Sequence, residues 1–368
     1  MKILFLTNVP SPYRMDFFDE LGTLSDLTVL FDRKSVSYRE ENWMKLKPNN
    51  FKAVFLKGIE TKNIKISWEI FKYINNKSFD LIIVGGYSTL NGLLAIMYMK
   101  LKKIPFILNS DGGMVKNEKR INFLIKKYFI SSASAWLSTG KITNKYLVHY
   151  GAKMDDIYIY PFTSIKENEL MQKILSRKEK KQYKNSLGMK EEIIILSVGR
   201  FIPSKGYDLL LKAFPSVKGN TALYIVGGKA TEEYINLKNE LELDNVNFID
   251  FLSKEDLAKY YMAADLFVLP TRSDIWGLVI NEAMAKGLPI ITTDKCVAGV
   301  EMISNSENGF LVKNNNIDSL SEKINIVLEK DYMQMGNKSL EIISNYTIES
   351  MAKIHIEIFE KILKGRKK

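Results

Sequence analysis

Two acidic and two basic side chains stand where they could handle a phosphorylated ligand. Asp274 and Glu282 are separated by seven residues in Asp274-Ile-Trp-Gly-Leu-Val-Ile-Asn-Glu282. The apolar run before them, Leu266-Phe-Val-Leu-Pro270, reads as a buried parallel strand. A polar turn, Thr271-Arg-Ser-Asp274, leads into a helix pattern over Gly277 to Lys286; Gly287 ends it and Pro289 opens the next strand. Both carboxylates therefore fall near a strand-to-helix turn, the edge where open α/β sheets bind ligands. The helix start there would attract a phosphate. The plainer alternative makes Asp274 a helix cap and Glu282 an exposed helix acid.

Arg200 and Lys205 form the basic pair. The apolar strand Glu192-Ile-Ile-Ile-Leu-Ser-Val-Gly199 runs into Arg200-Phe-Ile-Pro-Ser-Lys205-Gly206. Two fixed cations in a strand-to-helix loop can bind a diphosphate, Arg through its fork and Lys as a point charge. Gly206 starts a helix aimed at the same place. The strand Ala222 to Val226 ends in another glycine pair, Gly227-Gly228, and Ser253-x-x-Asp256 forms a capping box.

The acid-x7-Glu spacing, with Ala283-Met-Ala-Lys-Gly-Leu-Pro289 after it and Gly-Arg-(x4)-Lys-Gly before it, resembles family-4 retaining glycosyltransferases of GT-B fold. That family usually has Glu at the first acidic position; Asp274 keeps the charge and shortens the reach by one methylene. The resemblance implies an α/β protein with two Rossmann-like parallel-sheet domains facing across a cleft. Residues 1–165 would form the acceptor-side domain, 166–190 a polar linker, and 191–346 the nucleotide-sugar domain. A last helix within 347–368 would pack back on the first domain, and Asn308-Gly-Phe-Leu-Val312 resembles the family's closing hairpin.

The activity implied is transfer of a sugar from a nucleotide diphosphate sugar (UDP-, GDP- or dTDP-linked) to a hydroxyl, with retention. Arg200 and Lys205 would stabilise the leaving diphosphate, Glu282 would hold the ribose diol, and Asp274 the donor sugar. Gly199, Gly206, Gly228, Trp276, Gly277 and Leu278 would line the donor. No cofactor beyond the substrate is implied, and no metal, since Asp-x-Asp is missing. The acceptor implied is a lipid-linked saccharide of bacterial surface-polysaccharide assembly. Two competing classes stay open: a GT-B-fold nucleotide-sugar epimerase or hydrolase, and a non-catalytic sugar- or lipid-binding protein.

The elements that must position these groups are legible as alternating strand and helix patterns. The chain has 368 residues, is 46% hydrophobic and carries a net charge of +11. That length suits two α/β domains. The charge favours anionic partners (nucleotide, anionic lipid or nucleic acid), but no motif that reads nucleic acid is present. A single cysteine, Cys296, excludes an intramolecular disulfide and suits a reducing cytoplasm. No apolar run is long enough to span a membrane, and Met1 to Thr7 reads as a first strand, not a signal peptide.

In the first half, strands are expected at Lys2 to Thr7, Leu27 to Phe31, Leu81 to Val84, Ile104 to Leu108, Ala135 to Ser138 and Ile157 to Tyr160. Asn8 to Phe18 contains no Gly-x-Gly-x-x-Gly. Ser11 would cap a helix with Pro12 first, so that Tyr13 and Arg14 project at the carboxyl edge. There they would touch an acceptor or a donor phosphate, or leave an exposed Arg. Gly85-Gly86 reads as a tight turn or a close approach to ligand. In Ile107-Leu-Asn-Ser-Asp111-Gly-Gly113 an acid lands just past a strand. Asp111 would bind an acceptor or sugar hydroxyl where many relatives have a His, or form an Asx turn. Lys116 to Ile130 mixes basic and apolar residues, as an interfacial helix on anionic lipid does and as a docked helix with a solvated lysine edge does. His149 reads as packed or exposed, not catalytic. Together these features suggest a cytoplasmic protein, either free or peripheral on the inner face of the cell membrane.

Overall fold

The computed structural model describes residues 1–33, 47–61, 64–75, 77–85, 89–330 and 332–366. Gly86 and the two residues after it, read above as part of a glycine turn, lie outside the described residues. The chain divides into two compact units, Met1–Ser164 with Thr347–Lys368, and Ile165–Tyr346.

The first unit is built on a seven-stranded sheet. Its strands are β1 (Lys2–Thr7), β2 (Asp26–Phe31), β3 (Lys52–Phe55), β6 (Leu81–Val84), β7 (Ile107–Asn109), β8 (Ala135–Ser138) and β9 (Ile157–Ile159). β4 (Ile59–Thr61) and β5 (Ile64–Ile66) pair separately as an antiparallel ribbon. The sheet order is β3-β2-β1-β6-β7-β8-β9, and every pairing is parallel. β1, β6 and β7 are apolar throughout or nearly so because both sheet faces are covered. Helix Pro12–Leu24 starts with Pro at its first position and packs against the last helix, Ile348–Arg366, of the same unit.

The second unit repeats the plan with a six-stranded parallel sheet. β10 (Ile193–Val198), β11 (Thr221–Val226), β12 (Val246–Ile249), β13 (Leu266–Leu269), β14 (Ile290–Thr293) and β15 (Gly309–Val312) are arranged β12-β11-β10-β13-β14-β15. Gly309–Val312, expected as a hairpin, instead extends the sheet as a parallel edge strand on β14. The glycine is needed there: a Cβ on Gly309 would lie 1.8 Å from the Ile290 carbonyl oxygen.

The polar stretch 166–190 belongs to this unit and contains helix Arg177–Ser186, capped by a Ser176–Glu179 box. Lys180 and Lys184 on it are buried. Lys184 Nζ donates to Asp265 (2.6 Å), and Lys180 Nζ donates to the Ala264 carbonyl (2.6 Å). The helix is thereby fixed to the amino edge of the sheet. The sequence suggests a solvated connector because lysines usually stay in water.

Candidate active site on the second sheet

Two loops at the carboxyl edge of the second sheet are tied together. Gly206, between a short turn (Pro203–Lys205) and helix Tyr207–Ala213, has φ 70°, and a Cβ there would lie 2.1 Å from the Pro270 carbonyl oxygen. Only glycine lets the loop after β10 lie this close to the loop after β13. The contact is reinforced by Thr271 Oγ1 donating to the Ser204 carbonyl (2.8 Å) and the Arg272 amide donating to the same oxygen (2.7 Å). The Arg272 guanidinium clamps Asp208 through two parallel bonds of 2.7 and 2.6 Å. With those backbones fixed, Lys205 Nζ meets Asp274 Oδ2 at 2.7 Å.

Asp274 is therefore not a helix cap. Gly277 is the N-cap of helix Leu278–Ala285, with φ 103°, while the Asp274 carboxylate faces Lys205 and, more weakly, the Trp276 amide (3.4 Å). The Asp274 main chain is held by a bond to the Lys295 carbonyl (2.9 Å). A Cβ on Gly277 would press to 2.7 Å from Cys296 Sγ. Burial and the Asp274 charge push the Cys296 thiol up to about 12, so it stays a neutral packing group.

Glu282 sits one turn into that helix, half-buried. Tyr261, buried on the preceding helix Lys254–Ala263, donates its hydroxyl to Glu282 Oε2 (3.0 Å). Burial and the Glu282 carboxylate hold the Tyr261 phenol far above its ordinary value, so it remains a donor. Tyr207 acts alike, donating to the Gly199 carbonyl (2.9 Å); burial first, then Tyr234 and Asp274, raise its phenol. These two tyrosines are a part of the site that the sequence reading missed. Their only sequence signal is a polar-tipped aromatic inside an apolar helix face.

The other expected donor residues fall along the same edge. Arg200 is exposed just beyond β10. Gly199 and Gly228 have φ 148° and 104°, and a Cβ on Gly228 would meet nothing within 4 Å. Leu278 opens the helix whose first N–H groups point out of the sheet edge. The Trp276 side chain does not join them. It is 2% exposed and donates its indole N–H to Asn281 Oδ1 (2.9 Å). Its main-chain carbonyl accepts from the Ala298 amide (2.9 Å) and from Cys296 Sγ (3.1 Å).

Asp111, Tyr13 and Arg14 all belong to the first unit. Arg14, expected to project from the first helical turn and either touch a ligand or stand exposed, is instead buried and paired with Asp111. Asp111 also accepts from Asn109 Nδ2 (2.7 Å) and the Tyr160 hydroxyl (2.9 Å). Burial opposes the Arg14 charge, but Asp111, Tyr13 and Tyr160 outweigh it and raise its basicity. Four rings (Phe5, Tyr13, Phe18 and Phe162) lie within 6.0 Å of the guanidinium. Both Asp111 oxygens are engaged and Arg14 is enclosed, so the two residues that the sequence reading turned toward a ligand are paired with each other here. Tyr13, half-buried, packs its ring edge-on against Phe162 at 5.8 Å.

Two parallel-sheet domains of this topology define a class, and comparison with solved structures agrees. HepE of Anabaena in complex with UDP superposes with a TM-score of 0.78 at 16% identity, covering 98% of this chain and 100% of that one. The fold is GT-B. Residues 179–349 match the family model for glycosyl transferases group 1. An uncharacterized glycosyltransferase of Haemophilus influenzae is 36% identical over 176 residues, 46% of this chain and 49% of that protein. The chain thus spans about half the length of that relative. The N,N'-diacetylbacillosaminyl-diphospho-undecaprenol alpha-1,3-N-acetylgalactosaminyltransferase of Campylobacter jejuni is 23% identical over 316 residues, 82% of each chain. The similarity to glycosyl transferases group 1 is thus carried by residues 179–349, and that to the two relatives by 46% and 82% of the chain.

Proposed function

We propose that the protein transfers a sugar from a nucleotide diphosphate sugar to a hydroxyl, with retention and without a metal. The observation that carries this reading is the Lys205–Asp274 pair at 2.7 Å on loops locked together at a ligand-binding sheet edge. A cation held there by one exchangeable acid suits a diphosphate that brings negative charge and leaves with more. HepE, of the same fold, binds UDP.

When the donor binds, its diphosphate takes over Lys205 and meets Arg200, and Asp274 turns to hydroxyls of the donor sugar. Glu282, oriented by Tyr261, accepts from the two ribose hydroxyls. Gly199, Gly206, Gly228, Gly277 and Leu278 let main chain approach the donor. As the bond from the anomeric carbon to the diphosphate oxygen breaks, an acceptor oxygen bonds to that carbon from the same face. The acceptor proton passes to the departing phosphate oxygen, so charge and atoms balance and configuration is kept. Arg200 and Lys205 each lower the barrier by about 3 kcal/mol, the usual cost of deleting one such group.

The acceptor is a saccharide on a lipid diphosphate of surface-polysaccharide assembly, which places the protein at the inner face of the cell membrane. The Campylobacter relative supports this choice, since its name includes a diphospho-undecaprenol carrier. The test is incubation of the purified chain with labelled UDP-, GDP- and dTDP-sugars and lipid-linked acceptors, with the product anomer read by NMR. Lys205→Ala and Glu282→Ala should each lower turnover by at least about a hundredfold. Near-normal rates in both variants, or donor hydrolysis unaffected by any acceptor, would remove the assignment.

A further inference from the structure

The amino edge of the second sheet, at the other end of the strands from the candidate active site, holds a cavity of about 630 Å³. It is lined by residues at the starts of three strands (Ile193, Asn220 and Asp265), by helix Arg177–Ser186, and by Leu328 and Tyr332. Five of the lining side chains are basic and three are acidic. Two of the acids, Glu191 and Glu192, are partly or fully exposed, and Glu191 accepts from the Lys190 amide (3.2 Å). The exposed bases Arg177, Lys181 and Lys190 more than offset them.

The buried charges do not balance. Lys180 and Lys184 face the single carboxylate of Asp265, and all three residues are buried. Lys184 is the close partner: its Nζ meets Asp265 Oδ2 at 2.6 Å, and the same oxygen accepts from the Ile194 amide (2.9 Å). Lys184 also donates to the Glu192 carbonyl. Lys180, 7% exposed, has its short contact with a neutral group, the Ala264 carbonyl (2.6 Å). Asp265 Oδ1 is 3.5 Å from its ammonium, and the Tyr332 ring centre 5.7 Å. Burial lowers the basicity of Lys180, with Asp265 opposing and Lys184 adding to the fall. Tyr332 is another loosely held donor. Its hydroxyl reaches Asp265 Oδ1 only at 3.4 Å, and burial first, then Asp265, push its phenol up to about 12. Holding the helix to the sheet accounts for the Lys184–Asp265 pair. It does not account for a second buried charge, since a neutral donor would serve the Ala264 carbonyl as well.

We infer that this cavity binds the phosphate group of a small molecule, with the Lys180 ammonium and the Tyr332 hydroxyl as inner donors and Arg177 and Lys181 as outer ones. Arg177, Lys181 and Lys184 stand at i, i+4 and i+7 with Lys180 beside them, so one ten-residue helix presents four cations to the same place. An arriving dianion supplies the counter-charge that Lys180 lacks, through charge-assisted hydrogen bonds. A phosphate ester and free phosphate offer the same oxygens. The volume, within the range of small-molecule sites, favours the ester, and Met189, Ile193 and Leu328 give its organic part an apolar wall. β13 separates Asp265 from the loop that carries Asp274, so this is a second anion site and not an extension of the first. It stands whether or not the protein is a sugar transferase.

The test is calorimetric titration of the full chain at low salt with glycerol 3-phosphate and, separately, with inorganic phosphate. Saturable binding is expected, weakened at least about tenfold in Lys180→Met and by a similar factor in Arg177→Ala/Lys181→Ala, as loss of hydrogen bonds to a charged group implies. The alanine pair sits at exposed positions and keeps the test valid if Lys180→Met disturbs packing, which thermal denaturation would show. The same titrations in Lys205→Ala remove the cation of the opposite sheet edge, and binding should persist there. Tighter binding of glycerol 3-phosphate supports an ester as the ligand; equal affinity keeps the site and makes the ligand free phosphate. No saturable binding of either probe would overturn the site, as would binding that survives both amino-edge variants. Binding that disappears in Lys205→Ala would also overturn it and assign the anion to the carboxyl edge. A negative sugar-transfer assay changes none of these outcomes, so the two readings fail separately.

Discussion

Each unit of this protein sets a cation beyond one strand of its parallel sheet against an acid beyond another, and the two pairs differ in how fully the acid is engaged. In the first unit, Arg14 follows β1 and Asp111 follows β7; in the second, Lys205 follows β10 and Asp274 follows β13. Asp111 accepts from three side chains, and Arg14, 4% exposed, is walled by rings. Asp274 receives the Lys205 ammonium and one long amide contact of 3.4 Å. With Arg14 buried and both Asp111 oxygens engaged, the first pair is held in place by its partners, although the Asp111 side chain is 24% exposed against 16% for Asp274. An unsaturated pair can exchange partners at little cost and so can receive a ligand. The number of competing donors, not the presence of opposite charges, separates clamp from site.

Breaking the clamp should have the largest effect. Arg14→Ala leaves Asp111 charged and only partly solvated, and should destabilise the first unit by about 3–5 kcal/mol. Thermal denaturation checks this; a change below about 1 kcal/mol would make the clamp no different from a surface pair.

His355 sharpens the same contrast through pH. It is buried against Tyr160 and Phe17, its Nδ1–H donates to the Met351 carbonyl (2.7 Å), and its Nε2 has no hydrogen-bond partner. Burial first, then the Arg14 charge, lower its pKa from 6.5 to about 4, with Asp111 opposing. The unfolded chain therefore takes up this proton at higher pH than the folded one. The stabilisation is complete above about pH 6.5 and lost as pH falls to about 4, roughly 3 kcal/mol across the window. His355→Leu should flatten that part of the stability curve; an unchanged slope would mean the ring is not held neutral by the fold.

What the sequence could and could not reveal follows from how local each signal is. The strands β1, β2, β6 and β8 stand out because doubly covered parallel strands are unbroken apolar runs. β3, only four residues with a lysine at its start and half-buried side chains, has no such signature. The GT-B architecture and the strand-to-helix turns at Gly206 and Gly277 were legible because glycine and acid spacing is local. The partners of the charges were not. Arg14 and Asp111 are 97 residues apart, Lys184 and Asp265 81, and Tyr261 and Glu282 21. A lone chain carries no mark of which distant acid a lysine will meet, so 166–190 read as a polar linker and Arg14 as projecting toward a ligand or water.

On the exchangeable side the effects should be kinetic. Lys205→Ala should lower turnover about a hundredfold while thermal stability moves by less than about 1 kcal/mol, the inverse of the Arg14 variant. Equal losses of stability in both would erase the distinction. Tyr261→Phe removes one hydrogen bond to the Glu282 carboxylate. With Glu282 still present but less well oriented, the donor KM should rise about tenfold, in keeping with a bond to a charged group, and kcat should change little. A fall in kcat at constant KM would mean that Glu282 acts on the reacting bond and not on the ribose.

The smallest effect tests the exchange itself. On the proposed reading Asp274, 2.7 Å from Lys205 with the two side chains 16% and 19% exposed, competes with a diphosphate for the ammonium. Asp274→Asn keeps the shape and removes the competing charge, so UDP alone should bind about threefold more tightly, the value of a partly solvent-screened pair. Turnover should fall in the same variant, because an amide balances positive charge on the reacting sugar less well than a carboxylate does. Tighter product binding with slower catalysis is a combination that simple damage to the loop does not produce. Calorimetric titration with UDP, run beside initial rates, separates the outcomes. Weaker UDP binding would make Asp274 a scaffold that holds Lys205 in place. Binding and rates both unchanged would mean the ammonium faces no diphosphate, and the second pair would then be a clamp like the first.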